Sequence, residues 1–224
     1  MSDPRSNNMG YTNAPLVLDL CCGRGGWAEG FARSGYRVVG FDILDYSRDY
    51  PGEFVLSDIR EVNWSEWANP AVVTASPPCN EFSALTQLAR ARWGGPPLDP
   101  AGKGLALVRE CKRVIDSVRP RYWILENVRR AVPYISTVLG PPRFVHSAWA
   151  FWGEFPGFLR PKSNRLYKLP LYGTPRYYTG SDGRPRVDRR NRSEAHGSRG
   201  SSKRAMIPLD FSLPLAEACK GGIA

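Results

Sequence analysis

The sequence predicts an α/β fold, a doubly wound and mostly parallel sheet, from three observations. Short apolar runs rich in β-branched and aromatic residues recur at intervals. Helical periodicity or glycine-rich turns stand between them, and acids, a cysteine and an Asn gather where the runs end. Strands joined through helices pair in parallel, helices then cover both sheet faces, and ligands collect at the carboxyl ends of the strands.

Leu16 to Leu20 (LVLDL) reads as a buried first strand, and the glycine cluster behind it leads into a helix from about Trp27 to Ser34. Tyr36 to Phe41, Phe54 to Leu56, Ala71 to Ala75 and Tyr122 to Leu125 are the next strands. Between the last two, Leu105, Val108, Cys111, Ile115 and Val118 recur every three or four residues, as one buried helix face requires, so a helix is expected over 102–118. Residues 85–101, with WGGPPLDP, read as a long loop. Residues 173–204 are rich in Gly, Ser and Arg and too poor in aliphatic residues for a core, and Leu213 to Cys219 (LPLAEAC) reads as a short amphipathic helix returning to the body. The expected organisation is a catalytic unit over 1–172, a basic segment over 173–204 and a C-terminal helical piece over 205–224.

A chain of 224 residues, 42% of them hydrophobic, suits one domain with a sizeable core. Cysteines 21, 22, 79, 111 and 219 form no CxxC pair, so neither a zinc site nor a disulfide framework is expected, no metal is invoked, and a reducing, cytoplasmic setting follows. No run approaches a membrane span and the N-terminus is polar, so a soluble, monomeric protein without membrane contact is expected. The formal charge of +10 is local: residues 160–204 hold 13 Lys or Arg against 3 Asp or Glu, and the rest of the chain balances. Concentrated arginine is the footprint of a phosphate-binding surface as well as of a solvated face.

Four groups of residues carry the chemistry. In LDLCCGRGGWAEGF, Asp19 ends the first strand while Gly23, Gly25 and Gly26 let a ligand approach the turn. The spacing is not GxGxxG, which favours an adenosyl ligand without a pyrophosphate. Asp42 after the second strand suits ribose hydroxyls, and Asp58 with Ile59 after the third suits an adenine amino group and ring. In SPPCNEFS, rigid prolines bring Cys79 to the same sheet edge, in a loop poorly suited to burying a small hydrophobe and well suited to a thiolate nucleophile. Cys21 and Cys22 lie in the ligand turn and Cys111 on the helix face, as packing residues. In YWILENV, Glu126 and Asn127 reach the same edge, where a carboxyl group can bind a base; in FLRPKSNRLYKLP, Arg165 can aim at the same pocket.

In this order, LDLCCGRGG, the acids at 42 and 58, SPPCNEFS, ENV and SNR, the sequence resembles the DNA cytosine-5 methyltransferase family over roughly 16–170 and again 204–219. The resemblance implies a fold of the S-adenosylmethionine-dependent methyltransferase type, with Cys79 as nucleophile, Glu126 binding the pyrimidine N3 and exocyclic amine, and Arg165 stabilising charge on the ring. It implies that Asp19, Cys21, Gly23, Gly25, Gly26, Asp42, Ile43, Asp58, Ile59 and Pro78 surround S-adenosylmethionine. Ser83, Asn127, Arg176, Arg186, Arg189, Arg190 and Arg192 are the expected contacts to duplex DNA, from which the cytosine would be flipped out. Three departures stand out: SNRLY keeps one arginine of the family's QxRxR, only the basic segment replaces a recognition domain, and the closing motif lacks Gly-Asn. Such compression fits a phage-borne member. The competing readings are the same chemistry on RNA or on a free deoxycytidine nucleotide, and a nucleic-acid-binding relative without catalysis.

Overall fold

The computed structural model describes residues 14–158, 177–179, 185–187 and 207–221. Its centre is a seven-stranded sheet formed by β1 (Leu16–Leu20), β2 (Arg37–Asp42), β3 (Glu53–Leu56), β4 (Val72–Ala75), β5 (Tyr122–Val128), β6 (Phe144–His146) and β7 (Trp149–Glu154), in the order β3-β2-β1-β4-β5-β7-β6. The first five strands are mutually parallel, while β7 runs antiparallel to both β5 and β6. Strand order reverses between β1 and β4, which creates the crevice where doubly wound sheets bind ligands.

Side chains alternate across each strand, so the two faces carry separate cores. One face, with Val17, Val38, Val72, Ile124 and Phe151, is covered by α1 (Gly26–Arg33) and by the C-terminal helix. The other, with Leu18, Leu20, Val39, Phe41, Val73 and Leu125, receives the buried stripe of α3 (Leu105–Val118), which lies beyond α2 (Ala84–Trp93) in the chain, and Ile135 of α4 (Val132–Leu139). Each fully buried large side chain contributes roughly 1.5–3 kcal/mol.

The C-terminal helix, α5 (Leu209–Gly221), packs along α1. Gly30 makes that approach possible: a Cβ there would lie 2.5 Å from the carbonyl carbon of Ser212. Phe211, Leu215 and Cys219 are fully buried in this contact, which offsets the hydrogen bond that Pro214 removes from the helix interior. A small antiparallel pair, β8 (Tyr177–Thr179) and β9 (Pro185–Val187), stands apart from the main sheet.

Three expectations need correction. Residues 84–93 are helical, because ALTQLARARW has strong intrinsic helix propensity even though none of its residues is buried. The helix predicted from Gly102 begins at Leu105, after a wider turn over Pro100–Gly104 that Asp99 caps through the amides of Gly102 and Lys103. The strand ending in YWIL continues to Val128, since β7 pairs with Glu126, Asn127 and Val128. Glu126 therefore sits within a strand covered on both sides.

Candidate active site

The turn after β1 is left-handed at Cys21, Gly23 and Gly25, with φ of 52°, 51° and 80°. Gly23 faces open space, and its amide donates to Asp42 Oδ2 at 2.9 Å. The other Asp42 oxygen accepts from the Leu44 amide at 2.9 Å, so one half-exposed carboxylate ties the first turn to the end of β2. Each oxygen spends one acceptor position there and retains another, as a ribose diol requires.

Behind this turn, Asp19 is 1% exposed and accepts from Thr74 Oγ1 at 2.8 Å and from the Tyr50 hydroxyl at 3.1 Å. Burial pushes its carboxyl up to about 7 against those two donors. Asp19 thus braces the turn from inside. Cys22 is buried with it, and Gly26 packs against the backbone of Ile207.

A cleft of about 100 Å³ opens at the ends of β2 and β3, lined by Cys21, Asp42, Ile43, Asp58, Ile59 and Pro78 among others. Ile43 is 68% exposed, an apolar surface offered to a ligand, whereas Ile59 is buried and fixed by the Trp64 indole on its carbonyl at 2.8 Å. Asp58 is held by the Arg60 guanidinium and amide, which draw its carboxyl down to about 2. These residues fit an adenosyl group: an open backbone turn, a diol acceptor, an apolar wall and a second carboxylate. The Cys21 side chain packs against the core that includes Cys111 of α3, which supports that wall from behind.

The loop after β4 brings Cys79 beside the same crevice. Pro77 is buried and Pro78 exposed, and the Phe82 amide closes a turn on the Cys79 carbonyl at 2.9 Å. Glu81 anchors the loop to α2 through Arg90 at 2.6 Å and to the Asp99 amide at 2.8 Å. Burial, and then the charge of Glu126, push the Cys79 thiol up to about 11. Glu126, 7% exposed on β5, is pushed by burial up to about 8, with the nearby Ser76 pulling weakly the other way. At neutral pH the thiol and the carboxyl group are therefore both uncharged. Asn127 is fully enclosed: its amide donates to the Pro77 carbonyl at 2.9 Å and its oxygen accepts from the Val128 amide. Its polar atoms are used inside the protein, so it braces the cysteine loop instead of reaching outward to a substrate.

A second and wider cleft, about 490 Å³, lies on the outer side of this loop between Phe82, Ser83, Leu85, Val128, Arg129 and Arg130. Ser83 stands at the N-terminus of α2, and Arg130 reaches Gln87 of that helix at 3.3 Å. Arg129 and Arg130 escaped the sequence reading although they adjoin ENV. Tyr50, Thr74, Ser76 and Trp27 escaped it too, since nothing local marks residues that meet from distant parts of the chain. Arg165, Arg176, Arg189, Arg190 and Arg192 lie outside the described residues, and Arg186 falls in β9, of whose side chains nothing is described. Among the described residues no cluster of metal-binding side chains occurs, and no helix is long and apolar enough to cross a membrane.

The family model for the C-5 cytosine-specific DNA methylase matches residues 16–134, more than half of the chain. No curated protein matches the sequence. Among solved structures, an Escherichia coli protein encoded within a prophage and described as a DNA modification methyltransferase is 17% identical. It aligns over 62% of this chain and 46% of its own, with a TM-score of 0.41. The magnesium protoporphyrin IX methyltransferase of Synechocystis PCC 6803, solved with bound SAM, is 14% identical over 62% of this chain and 69% of its own, with a TM-score of 0.41. The Entamoeba histolytica methyltransferase EhMeth is 19% identical over 56% of this chain and 43% of its own, with a TM-score of 0.37. The chain therefore spans under half the length of the first and third of these proteins.

Proposed function

The chain belongs to the C-5 cytosine-specific DNA methylase family, and from that premise we propose that it methylates C5 of cytosine in DNA through a covalent adduct at Cys79. The observation that supports this reading most is geometric: the cysteine loop follows β4 and Glu126 lies near the carboxyl end of the neighbouring parallel strand β5, the two are tied together by the Asn127 amide on the Pro77 carbonyl at 2.9 Å, and Pro78 of the same loop lines the Asp42 cleft. C5 of cytosine is a weak nucleophile. Cys79 first gives up its thiol proton to solvent; attack of the resulting thiolate on C6 forms a C–S bond and moves the ring electrons to C5, making that carbon enamine-like. Glu126, protonated at neutral pH, hydrogen-bonds or protonates N3 and so draws electrons away from C6. After methylation a base removes the C5 proton, the electrons re-form the C5–C6 bond, and Cys79 leaves as thiolate.

S-adenosylmethionine, when bound, supplies an electrophilic methyl group. Asp42, Gly23, Ile43, Asp58 and Ile59 would hold its adenosyl part, with Asp19 supporting the turn behind them. Arg165, by the family resemblance, stabilises negative charge on the ring carbonyl. Phosphates fit the basic residues: Arg129 and Arg130 beside the cysteine loop, and the arginines of the 173–204 segment, which in sequence order takes the place of a recognition domain. The target carbon is inaccessible inside a duplex, so the cytosine is flipped out to reach Cys79. The test is transfer of labelled methyl groups from S-adenosylmethionine to duplex DNA, compared with tRNA and deoxycytidine nucleotide. Transfer to DNA by the wild type and not by Cys79→Ala supports the reading; equal transfer by both, or preferential transfer to RNA or nucleotide, contradicts it.

A further inference from the structure

Parallel neighbours in a sheet are normally joined through a crossover of roughly a dozen residues or more, usually a helix. Residues 43–52 join β2 to the parallel strand β3 without one, and Ile43 and Leu44 at its start are exposed. Contacts of another kind hold this connection. Asp45 accepts from the Ser47 amide at 2.9 Å and from its hydroxyl at 2.7 Å, and the amides of Asp49 and Tyr50 both donate to the Tyr46 carbonyl at 2.9 Å. The turn so formed brings Tyr46 and Asp49 to one group, the guanidinium of Arg24, which pairs with the Asp49 carboxylate and lies over the Tyr46 ring, 5.8 Å from its centroid. Arg24 stands between Gly23 and Gly25 in the glycine turn, and its side chain is 11% exposed. Tyr50 and Pro51 close the inner side. The Tyr50 hydroxyl donates to Asp19, and Pro51 lies where a Cβ on Gly25 would meet it at 2.5 Å.

We infer that Arg24 is a positioning residue for the methyl donor: with Tyr46 and Asp49 it forms a clasp that keeps Asp42 and Ile43 against the glycine turn before the donor arrives. The inference deepens the reading of the Asp42 cleft as the adenosyl site and rests on it. The Asp42 carboxylate already accepts from the Gly23 amide, so the ribose acceptor sits at one end of the 43–52 connection and the clasp at the other. With both ends fastened to the turn, donor binding spends none of its free energy on ordering the connection. The side chain suits the task, because a planar guanidinium can stack on a ring and pair with a carboxylate at the same time, whereas an ammonium supplies the charge alone.

The test measures S-adenosylmethionine binding to the full chain by calorimetry without DNA, in wild type, Arg24→Ala, Arg24→Lys, Asp49→Ala and the variant carrying both alanines. Arg24→Ala is expected to weaken binding about tenfold. Asp49→Ala, which removes a half-exposed carboxylate and so tests the clasp even if Arg24→Ala does not fold, should weaken it by a similar factor. The double variant should be no weaker than either, because the same contact is removed each time. Arg24→Lys should recover part of the loss. In turnover, the donor KM should rise while kcat at saturating donor keeps its wild-type value. A readout without donor is hydrogen exchange: the Gly23 and Leu44 amides, both bonded to Asp42, should exchange faster in Arg24→Ala while those of β4 and β5 keep their protection. Faster exchange throughout the sheet, unchanged donor affinity in Arg24→Ala, or losses that add in the double variant overturn the inference while leaving the cleft reading intact. A wild type that binds no donor overturns the cleft reading and the inference with it. If the clasp variants lose donor affinity as expected but the wild type transfers no methyl group to DNA, the inference stands and the proposed function fails.

Discussion

Glu126 and Asp58 both stand at the carboxyl edge of the same parallel sheet, yet one is held as an acid near pH 8 and the other as a carboxylate down to about pH 2. Their neighbours explain the contrast. Glu126 sits on β5, flanked by β4 and β7 and buried against Ser76, so desolvation dominates. Asp58 follows the edge strand β3, where Arg60 folds back on it in solvent reach. Identical chemistry is thus tuned in opposite senses by strand position, which under the proposed function gives the crevice a dry side for bond making and a wet side for holding a ligand.

The most severe way to break that division is Cys79→Ala, which should lower methyl transfer by about 10⁴-fold while leaving equilibrium binding of the adenosyl donor near its wild-type value, measured by calorimetry. Donor binding lost in parallel would mean that the two sides are not separate. Glu126→Gln should reduce kcat by roughly 10²–10³-fold with a small change in donor affinity. On the wet side, Asp42→Ala should weaken donor binding by about 10–100-fold, since the Gly23 and Leu44 amides lose their acceptor together with the ribose contact. Asp58→Asn should weaken it only a few-fold.

A smaller effect is thermodynamic. Glu126 and Asp19 have carboxyl groups raised from 4.5 to about 8 and from 3.8 to about 7, so between these limits the folded chain keeps protons that the unfolded chain releases. Stability is then highest below the unfolded values and declines as pH rises through the folded ones, by up to roughly 1.4 kcal/mol per pH unit for each group. Denaturant melts from pH 5 to 8 should show this fall, with a shallower slope in Glu126→Gln. Deleting 180–200 should act elsewhere, weakening DNA binding and flattening its salt dependence without altering donor binding. An unchanged salt slope would remove that segment from the interface.

Local pattern carried much of this organisation. β1 matched its sequence limits, β2, β3 and β4 differed by one residue at one or both ends, β5 ran three residues further than expected, and Cys79, Asp42 and Asp58 stood out because chemistry-bearing residues closed each apolar run. What escaped was whatever depends on partners far along the chain. β7 could not be inferred as the strand that extends β5, and α2, with no buried face, leaves no periodic signal. Asn127 looked like a substrate contact because its enclosure by Pro77 spans 50 residues of sequence. The protonation of Glu126 is likewise invisible without its burial, and so is the Trp27 and Ser76 contact.

The central claim is that Cys79 bonds to the base it modifies, and mass spectrometry of a trapped complex tests it most directly. A duplex carrying 5-fluorocytosine at the target should trap the full chain in the presence of S-adenosylmethionine, because fluorine at C5 cannot leave as the proton does and Cys79 is not expelled. The account predicts a stable adduct whose modified peptide contains Cys79, absent from Cys79→Ala. Methylation of ordinary cytosine without any such adduct, or an adduct on another cysteine, would contradict it.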